Sequence, residues 1–350
     1  MSNPMLLGLG AEGAAVSEVR ARLAHLGLLD EQGAGSFDET VAAGVRTFQQ
    51  ERGLTVDGMV GPDTYRRLEE ARWQLGDRVL TYVPGHLVTG DDVAALQRRL
   101  NQLGFDAGRP DGMFGPRTDA SLRDFQGSVG VVVDGTCGPD TYRAFDRLVR
   151  TISGGNASSL RDRITMSALR TGVSDKVVVI DPGLDGGSPV CEAIATRVEG
   201  RLAALGTQVL LTRAGSRGSL HDEADRAAFA NRTAADLLVS IHCDEASSPL
   251  PTGVACFYFG EPTGGAHSAS GELLASMIQD EVCARTGLLD CRTHPRTWDL
   301  LRMTRMAAVR LEVGNLANMN DAELLSTIAM QDSIAEGIAS AIIRFCAPAQ

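Results

Sequence analysis

The sequence predicts a multidomain protein in which two small three-helix modules precede an α/β domain with a mostly parallel, twisted sheet covered by helices. Two observations lead to this fold class. The N-terminal half contains an internal repeat, and the C-terminal half alternates buried-strand runs with helices. With 350 residues the chain is too long for one typical domain, while 43% hydrophobic and 22% charged residues are typical of globular proteins.

The internal repeat aligns two N-terminal segments without a gap. Phe48 falls on Phe125, 77 positions later, and the same shift superposes the Val-Asp-Gly run at 56–58 on the one at 133–135. Agreement of this extent indicates a duplicated domain. In the first copy, apolar side chains at three- and four-residue spacing predict a helix over 15–26, and a second helix and a short third helix follow.

The second copy contains two glycine-rich turn motifs that resemble those of a known family. The second copy reads D-G-x-F-G-P-x-T at 111–118, then Phe125-Gln126, then V-D-G-x-x-G-P-x-T at 133–141, whereas the first copy has G-S-F-D at 35–38 in place of the first turn. The pattern resembles the peptidoglycan-binding type 1 module. The resemblance implies two wall-binding modules, over 1–75 and 76–150. Taken singly, the turn glycines are better explained by backbone geometry than by ligand binding.

A small, polar segment separates the repeat from the second half, and we predict a linker over 151–174. The α/β domain then spans 175–350. Its predicted elements alternate along the chain: strands at 177–180, 208–212, 237–241, 253–259 and 309–313, and helices at 190–205, 222–234, 270–286 and 321–345.

Three of these strands end in polar motifs. They are D-P-G-L-D-G-G at 181–187, S-I-H-C-D at 240–244 and E-V-G-N-L-A-N at 312–318. Sites in parallel sheets form beyond the carboxyl ends of the strands, so we expect these motifs to converge. In order, they resemble D-P-G-H-G-G, S-I-H-x-N and E-x-G-F-x-S-N of the zinc N-acetylmuramoyl-L-alanine amidases.

The resemblance implies a zinc site and its chemistry. In the family, two histidines and a glutamate hold zinc, and a further glutamate moves the proton of the zinc-bound water. A catalytic zinc leaves one position open for water and lowers the pKa of that water to about 7. Here His242 matches the second ligand histidine, and Glu312 matches the catalytic glutamate.

The other two family positions are not preserved. Leu184 stands where the first ligand histidine belongs, and a hydrocarbon side chain cannot bind metal. Asp185 is a candidate replacement ligand, and Glu192 is the nearest candidate for the ligand glutamate, about five residues out of register. We therefore predict that zinc is absent or weakly bound. Three alternatives stay open: a pseudo-amidase, an active zinc amidase of cell-wall turnover, or a plain wall-binding module.

Basic side chains follow the fourth strand. We predict a cationic loop around His294, in which Arg292 and Arg302 bind the carboxylates of a muramyl peptide. The alternative is that this segment is a solvent-exposed loop without a binding role.

Charge, cysteines and hydropathy bear on compartment and partners. A net charge of −11 argues against nucleic-acid binding, and no stretch is apolar enough to predict a transmembrane segment. Seven irregularly spaced cysteines and an N-terminus without a secretory pattern predict a cytoplasmic location. The whole arrangement resembles the actinobacterial CwlM-type amidase-like proteins. That resemblance implies a regulator that binds a muramyl peptide or peptidoglycan precursor, with a precursor-synthesis enzyme such as MurA as partner.

Overall fold

A computed structural model gives the fold, and it divides the chain into two compact units, Met1–Arg163 and Ile164–Gln350. The following ranges are described: 6–30, 35–148, 166–183, 188–213, 222–244, 250–261 and 266–348.

The N-terminal unit contains the two predicted three-helix modules, each with its own apolar core. Its helices are α1 (Ala14–His25), α2 (Glu39–Arg52), α3 (Pro62–Glu70), α4 (Asp91–Gln102), α5 (Pro116–Val129) and α6 (Pro139–Leu148). Two short strands, β1 (Leu80–Thr81) and β2 (Thr136–Cys137), pair antiparallel in the second module. Phe48 and Phe125, which the repeat superposes, are both fully buried.

A buried glutamine explains the repeated Asp-Gly turns. In module 2, the amide of Gln126 donates to Asp134 (2.9 Å), to the carbonyl of Thr136 (3.0 Å) and to Thr141 (3.2 Å). The backbone N–H of Gly135 donates back to the Gln126 side chain at 2.9 Å. One side chain thus satisfies a whole turn, and Gly135 adopts a left-handed conformation with φ 69°.

The same arrangement recurs around two further glutamines. Gln49 holds the turn at Asp57 and Gly58, and Gln97 holds the turn at Asp111 and Gly112. The fourth equivalent position, in module 1, is Arg20, which donates to the carbonyl of Ser36 at 3.2 Å. The departure of 35–38 from the turn motif therefore has a structural counterpart: an arginine replaces the glutamine where the Asp-Gly pair is missing.

The C-terminal unit is built on a six-stranded sheet. Its strands are β3 (Val177–Pro182), β4 (Gln208–Leu211), β5 (Leu237–Asp244), β6 (Val254–Phe259), β7 (Asp290–Arg296) and β8 (Ala307–Asn315). The strand order is β4-β3-β5-β8-β6-β7. Every neighbouring pair is parallel except β6 and β8, which run antiparallel. The predicted mostly parallel sheet is confirmed.

Helices cover both faces of this sheet. They are α7 (Ser188–Ala203), α8 (Glu223–Arg232), α9 (Ala269–Thr286), α10 (Asp299–Met303), α11 (Met319–Ser326) and α12 (Ile328–Cys346). Residues of α7, α9 and α12 form one apolar core with one face of the sheet, and residues of α8 and α10 form a second core with the other. Of the helices in the described ranges, none is both long enough and apolar enough to cross a membrane.

Two predicted elements of this unit were wrong. The segment expected as a cationic loop is edge strand β7, which pairs with β6. The single helix expected over 321–345 is two helices, α11 and α12. They meet at Thr327, whose extended backbone (ψ 138°) ends the first helix and whose hydroxyl caps the second by accepting from the N–H of Met330 at 3.2 Å.

Candidate functional site

Strands β3, β5 and β8 bring their polar motifs to one edge of the sheet. Asp181 pairs in register with Ser240, and His242 pairs with Glu312. Since alternate residues of a strand share a face, Ser240 and His242 lie on the same side of β5. The two residues that match the family motifs most clearly, His242 and Glu312, are therefore neighbours on adjacent strands.

The imidazole of His242 is enclosed by backbone and by a buried hydroxyl. Its Nε2 lies 2.9 Å from Oγ of Ser240, and the residue is only 3% exposed. On the other side, a Cβ added at Gly183 would lie 2.7 Å from Nδ1 of the ring. Any larger residue at Gly183 would therefore displace the imidazole, which explains the glycine in D-P-G.

Asp181 anchors this end of the sheet. Its fully buried carboxylate accepts hydrogen bonds from Thr212 (2.5 Å) and Ser240 (2.5 Å). Nη1 of Arg226, on α8, lies 3.2 Å from its second oxygen. A buried carboxylate is tolerated when it is both paired and hydrogen-bonded, and Asp181 satisfies both conditions.

Glu312 belongs to a run of alternating charges. Oε1 of Glu312 lies 3.2 Å from Nη2 of Arg310, whose Nη1 lies 3.4 Å from Glu223. Glu223 is in turn 3.8 Å from Arg226, the partner of Asp181. A continuous chain of ion pairs thus links the first and third strand motifs across the sheet.

Aromatic and cationic groups flank Glu312. The guanidinium of Arg310 lies over the ring of Trp298, 4.6 Å from its centroid, and that of Arg296 lies 5.3 Å from the Phe257 ring. Burial lowers the pKa of Arg296, and the Glu312 carboxylate opposes this effect. Such a surface, apolar in body and charged at its tips, is suited to a ligand that has both acyl and carboxylate groups.

Glu192 is held by an arginine rather than left open. Its Oε1 lies 2.9 Å from Nη2 of Arg213, which also donates to the carbonyl of Gly183 at 3.1 Å. Glu192 therefore lies near the same sheet edge as His242. Leu184 and Asp185 lie outside the described residues.

The described side chains do not fit a catalytic zinc. Such a site needs three protein ligands in tetrahedral geometry. Within the described ranges, no group of three or more His, Cys, Asp or Glu residues is placed to hold a metal ion. Of the family's zinc ligands, the sequence keeps the histidine at His242, whose Nε2 lies 2.9 Å from the hydroxyl of Ser240, and Glu192 pairs with Arg213.

The two arginines predicted to bind substrate lie in different surroundings. Arg302 is 3% exposed and pairs with Asp299 at 3.1 Å, so its charge is committed within the protein. Arg292 is well exposed and lies 3.3 Å from Asp290. It stands where β6 and β7 shift register, two strands from Glu312, with a left-handed backbone (φ 70°).

The asparagines of the third strand motif, at 312–318, hold the local backbone in place. Asn318 caps α11 by accepting from the N–H groups of Asn320 and Asp321. The buried carboxylate of Asp321 accepts from the N–H of Asn315 (3.0 Å) and from Thr252 (2.5 Å). The motif asparagines thus fix the loop that follows β8.

The sequence interpretation missed most of the charged network. It did not single out Arg310, Arg226 or Arg213 as partners of the motif carboxylates. A signal existed for Arg310, because it lies two residues before Glu312 on the same strand and so must share its face. Arg213 and Arg226 lie in the segments L-T-R at 211–213 and R-x-x-x-x-N at 226–231, which also resemble the amidases, but the sequence did not indicate their carboxylate partners.

Comparison with known proteins places these features in a family. The N-acetylmuramoyl-L-alanine amidase family matches residues 178–344, and the peptidoglycan binding domain matches 12–68 and 89–145. The chain is 42% identical to N-acetylmuramoyl-L-alanine amidase CwlM of Mycobacterium tuberculosis over 97% of its own length and 89% of that protein.

More distant relatives match about half of the chain. The germination-specific N-acetylmuramoyl-L-alanine amidase of Bacillus subtilis is 29% identical over 49% of this chain and 81% of that protein. The solved catalytic domain of CwlV, an amidase from Bacillus (Paenibacillus) polymyxa, is 27% identical, with a TM-score of 0.44 over 49% of this chain and 98% of that one. By its extended similarity to the mycobacterial protein, the chain belongs to the N-acetylmuramoyl-L-alanine amidase family and carries two peptidoglycan-binding modules.

Proposed function

We propose that this protein is a pseudo-amidase that binds a muramyl peptide or peptidoglycan precursor without hydrolysing it. One observation carries the proposal: the glutamate proposed for catalysis, Glu312, and the candidate ligand Glu192 are both engaged by arginines. Arg310 lies 3.2 Å from Glu312, and Arg213 lies 2.9 Å from Glu192.

The family reaction requires both an activated water and a group that accepts its proton. Zinc supplies an activated water for attack on the amide carbonyl, and a carboxylate must accept its proton. This chain offers His242 and Glu312 side by side, but Leu184 cannot bind metal, and Arg213 competes for the carboxylate of Glu192. Losing a residue that merely supports a ligand already costs 10–100-fold in metal affinity or activity, and losing a ligand costs more.

Ligand binding survives this loss. Muramyl peptides carry carboxylates and acyl groups. The ring of Trp298 packs against Arg310, the partner of Glu312, and the exposed Arg292 lies two strands from Glu312. The peptidoglycan-binding modules of the N-terminal unit add a second site for the same class of muramyl compound. Two linked binding sites raise avidity without any catalytic step.

We further propose a cytoplasmic location, where precursors rather than finished wall are met. All seven cysteines lie in the described residues and none of them forms a disulfide there, which is typical of a reducing compartment. The proposal of a precursor-synthesis enzyme such as MurA as partner rests on the resemblance alone. Co-purification of the two proteins at physiological salt tests it.

The deciding experiment measures zinc, hydrolysis and binding on the full chain. After equilibration with zinc and desalting, we expect well under one zinc per chain. The amide between the muramoyl group and L-alanine should stay intact, so no free amino group of L-alanine should appear. Calorimetry should nevertheless detect binding of the muramyl peptide, and a metal chelator should not change its affinity. The matched variant Leu184→His restores a nitrogen ligand and should raise zinc retention, whereas Leu184→Ala should not.

A second function, that of an active zinc amidase, is favoured by the pairing of His242 with Glu312 across β5 and β8. In that case Asp185 would supply the missing ligand. Stoichiometric zinc in the wild-type chain, together with zinc-dependent hydrolysis that Glu312→Gln abolishes, would establish this function and exclude the pseudo-amidase.

A further inference from the structure

Two buried cysteines meet between α7 and β5, on the face of the sheet opposite His242. Cys191 lies on α7 and Cys243 on β5, and their sulfur atoms are 3.6 Å apart. The two residues are 1% and 2% exposed, and they are 52 positions apart in the chain. Cys191 directly precedes Glu192, and Cys243 directly follows His242.

The separation of these sulfurs is short enough for covalent bonding after a small movement. A disulfide requires about 2.05 Å between sulfurs, so the two atoms need to approach by about 1.5 Å. The pair faces the apolar core between α7 and the sheet, where other groups are held by packing.

We propose that Cys191 and Cys243 form a redox pair that a hydroperoxide oxidises to a disulfide, which locks α7 onto β5. One sulfur attacks a peroxide oxygen and becomes a sulfenic acid as the O–O bond breaks and the first water leaves. The second sulfur then attacks the first, and the S–S bond forms as the second water leaves. In total, two thiols and one hydrogen peroxide give one disulfide and two waters, and a dithiol reductant reverses the change.

The position of the bond determines its consequence. It ties the residue before Glu192 to the residue after His242, so the helix and strand that carry these groups no longer move separately. In a reducing compartment such disulfides are transient and act as sensors rather than as permanent supports. The inference does not depend on the proposed function, because the thiol pair exists whether or not the site hydrolyses its ligand.

The test uses the full wild-type chain. It is treated with hydrogen peroxide, alkylated under denaturing conditions and digested, and the peptides are read by mass spectrometry. We expect one cross-linked pair that contains Cys191 and Cys243 and that dithiothreitol reverses. Burial slows the first step, since peroxide reaches the sulfurs only through local opening, so oxidation should accelerate in low concentrations of urea. The oxidised C-terminal unit should melt roughly 10 °C higher, because the bond closes a long loop.

Controls separate this pair from general oxidation. Cys137→Ser removes a buried thiol of the N-terminal unit, where the sulfur contacts Tyr142, and should leave the cross-link unchanged. Cys191→Ser and Cys243→Ser should each abolish it. Sulfinic acid at Cys191 without a cross-link, a disulfide to another cysteine, or an oxidised form with an unchanged melting temperature would each overturn the proposal.

Discussion

Replacement of Asp181 by alanine should destabilise the C-terminal unit more than almost any other single change. The carboxylate is fully buried and lies 3.2 Å from Arg226, which is itself only 5% exposed. Removing one partner of a buried ion pair costs about 3–5 kcal/mol, because the remaining charge is left uncompensated. The hydroxyls of Thr212 and Ser240 also lose their acceptor.

The expected loss is therefore about 4 kcal/mol in the free energy of unfolding. For a unit of this size each kcal/mol shifts the melting temperature by about 2–4 °C, so a shift of roughly 8–16 °C is expected. The matched control is Asp332→Ala. That carboxylate lies 2.8 Å from Arg201 but is 54% exposed, and its removal should cost less than about 1 kcal/mol.

The assay follows urea unfolding by tryptophan fluorescence. The chain has two tryptophans, Trp73 and Trp298, one in each unit, so a Trp73→Phe background reports on the C-terminal unit alone. Adding Arg226→Met to Asp181→Ala removes the orphaned cation and should recover roughly 2 kcal/mol. If Asp181→Ala costs no more than Asp332→Ala, or the double variant recovers nothing, the buried ion pair does not support the sheet edge as argued.

Three further changes probe other features. Burial tends to raise the pKa of Glu281, but ion pairs with Arg344 and Arg285 lower it below its ordinary value of 4.5, so the stabilisation is present above that value and is lost as the pH falls. Glu281→Gln should thus cost about 1 kcal/mol at pH 7 and progressively less below about pH 4, as measured by unfolding across pH. Gly183→Ala should displace the adjoining imidazole and cost about 1–3 kcal/mol, whereas Gly200→Ala, whose Cβ meets nothing within 4 Å in α7, should stabilise by about 0.5–1 kcal/mol in the same melting assay. Gln126→Glu replaces the amide donor that faces Asp134 with a second carboxylate, so it should destabilise module 2 more than Gln126→Ala does. Equal melting temperatures of the two variants, followed by ellipticity, would contradict this.

The sequence predicted those parts of the fold whose signal is local and apolar. The strand beginning at Val177 opens with an uninterrupted apolar run, which is typical of a strand buried on both faces of a parallel sheet. The strand around Val309 instead alternates apolar residues with Arg310 and Glu312, which is also a strand signal. The adjacency of His242 and Glu312 also followed from sequence, because parallel strands end at the same edge.

Elements whose stability comes from their neighbours could not be predicted in this way. Strand β7 reads D-C-R-T-H-P-R and has no apolar alternation, and it is a strand because β6 offers it a free edge. Its proline is compatible with that position, since an edge strand leaves one side of its backbone without a partner. The break at Thr327 was hidden for the opposite reason: apolar residues continue on both sides of it, and only the capping hydroxyl marks the end.

Charge pairing at the sheet edge gives the pseudo-amidase proposal its physical basis. In a metal site, carboxylates that lie close together repel one another, and buried carboxylates and imidazoles are poorly solvated. A bound divalent ion relieves both the repulsion and the poor solvation. Here Arg226 already pairs with Asp181, and Arg310 with Glu312. Recruiting Glu192 to a metal would first require separating it from Arg213, a partner that also holds the strand-end carbonyl of Gly183. A cation that is part of the chain is present at every moment, whereas zinc must be captured from a dilute pool, so arginine pairing is the arrangement expected where binding is retained and hydrolysis is not.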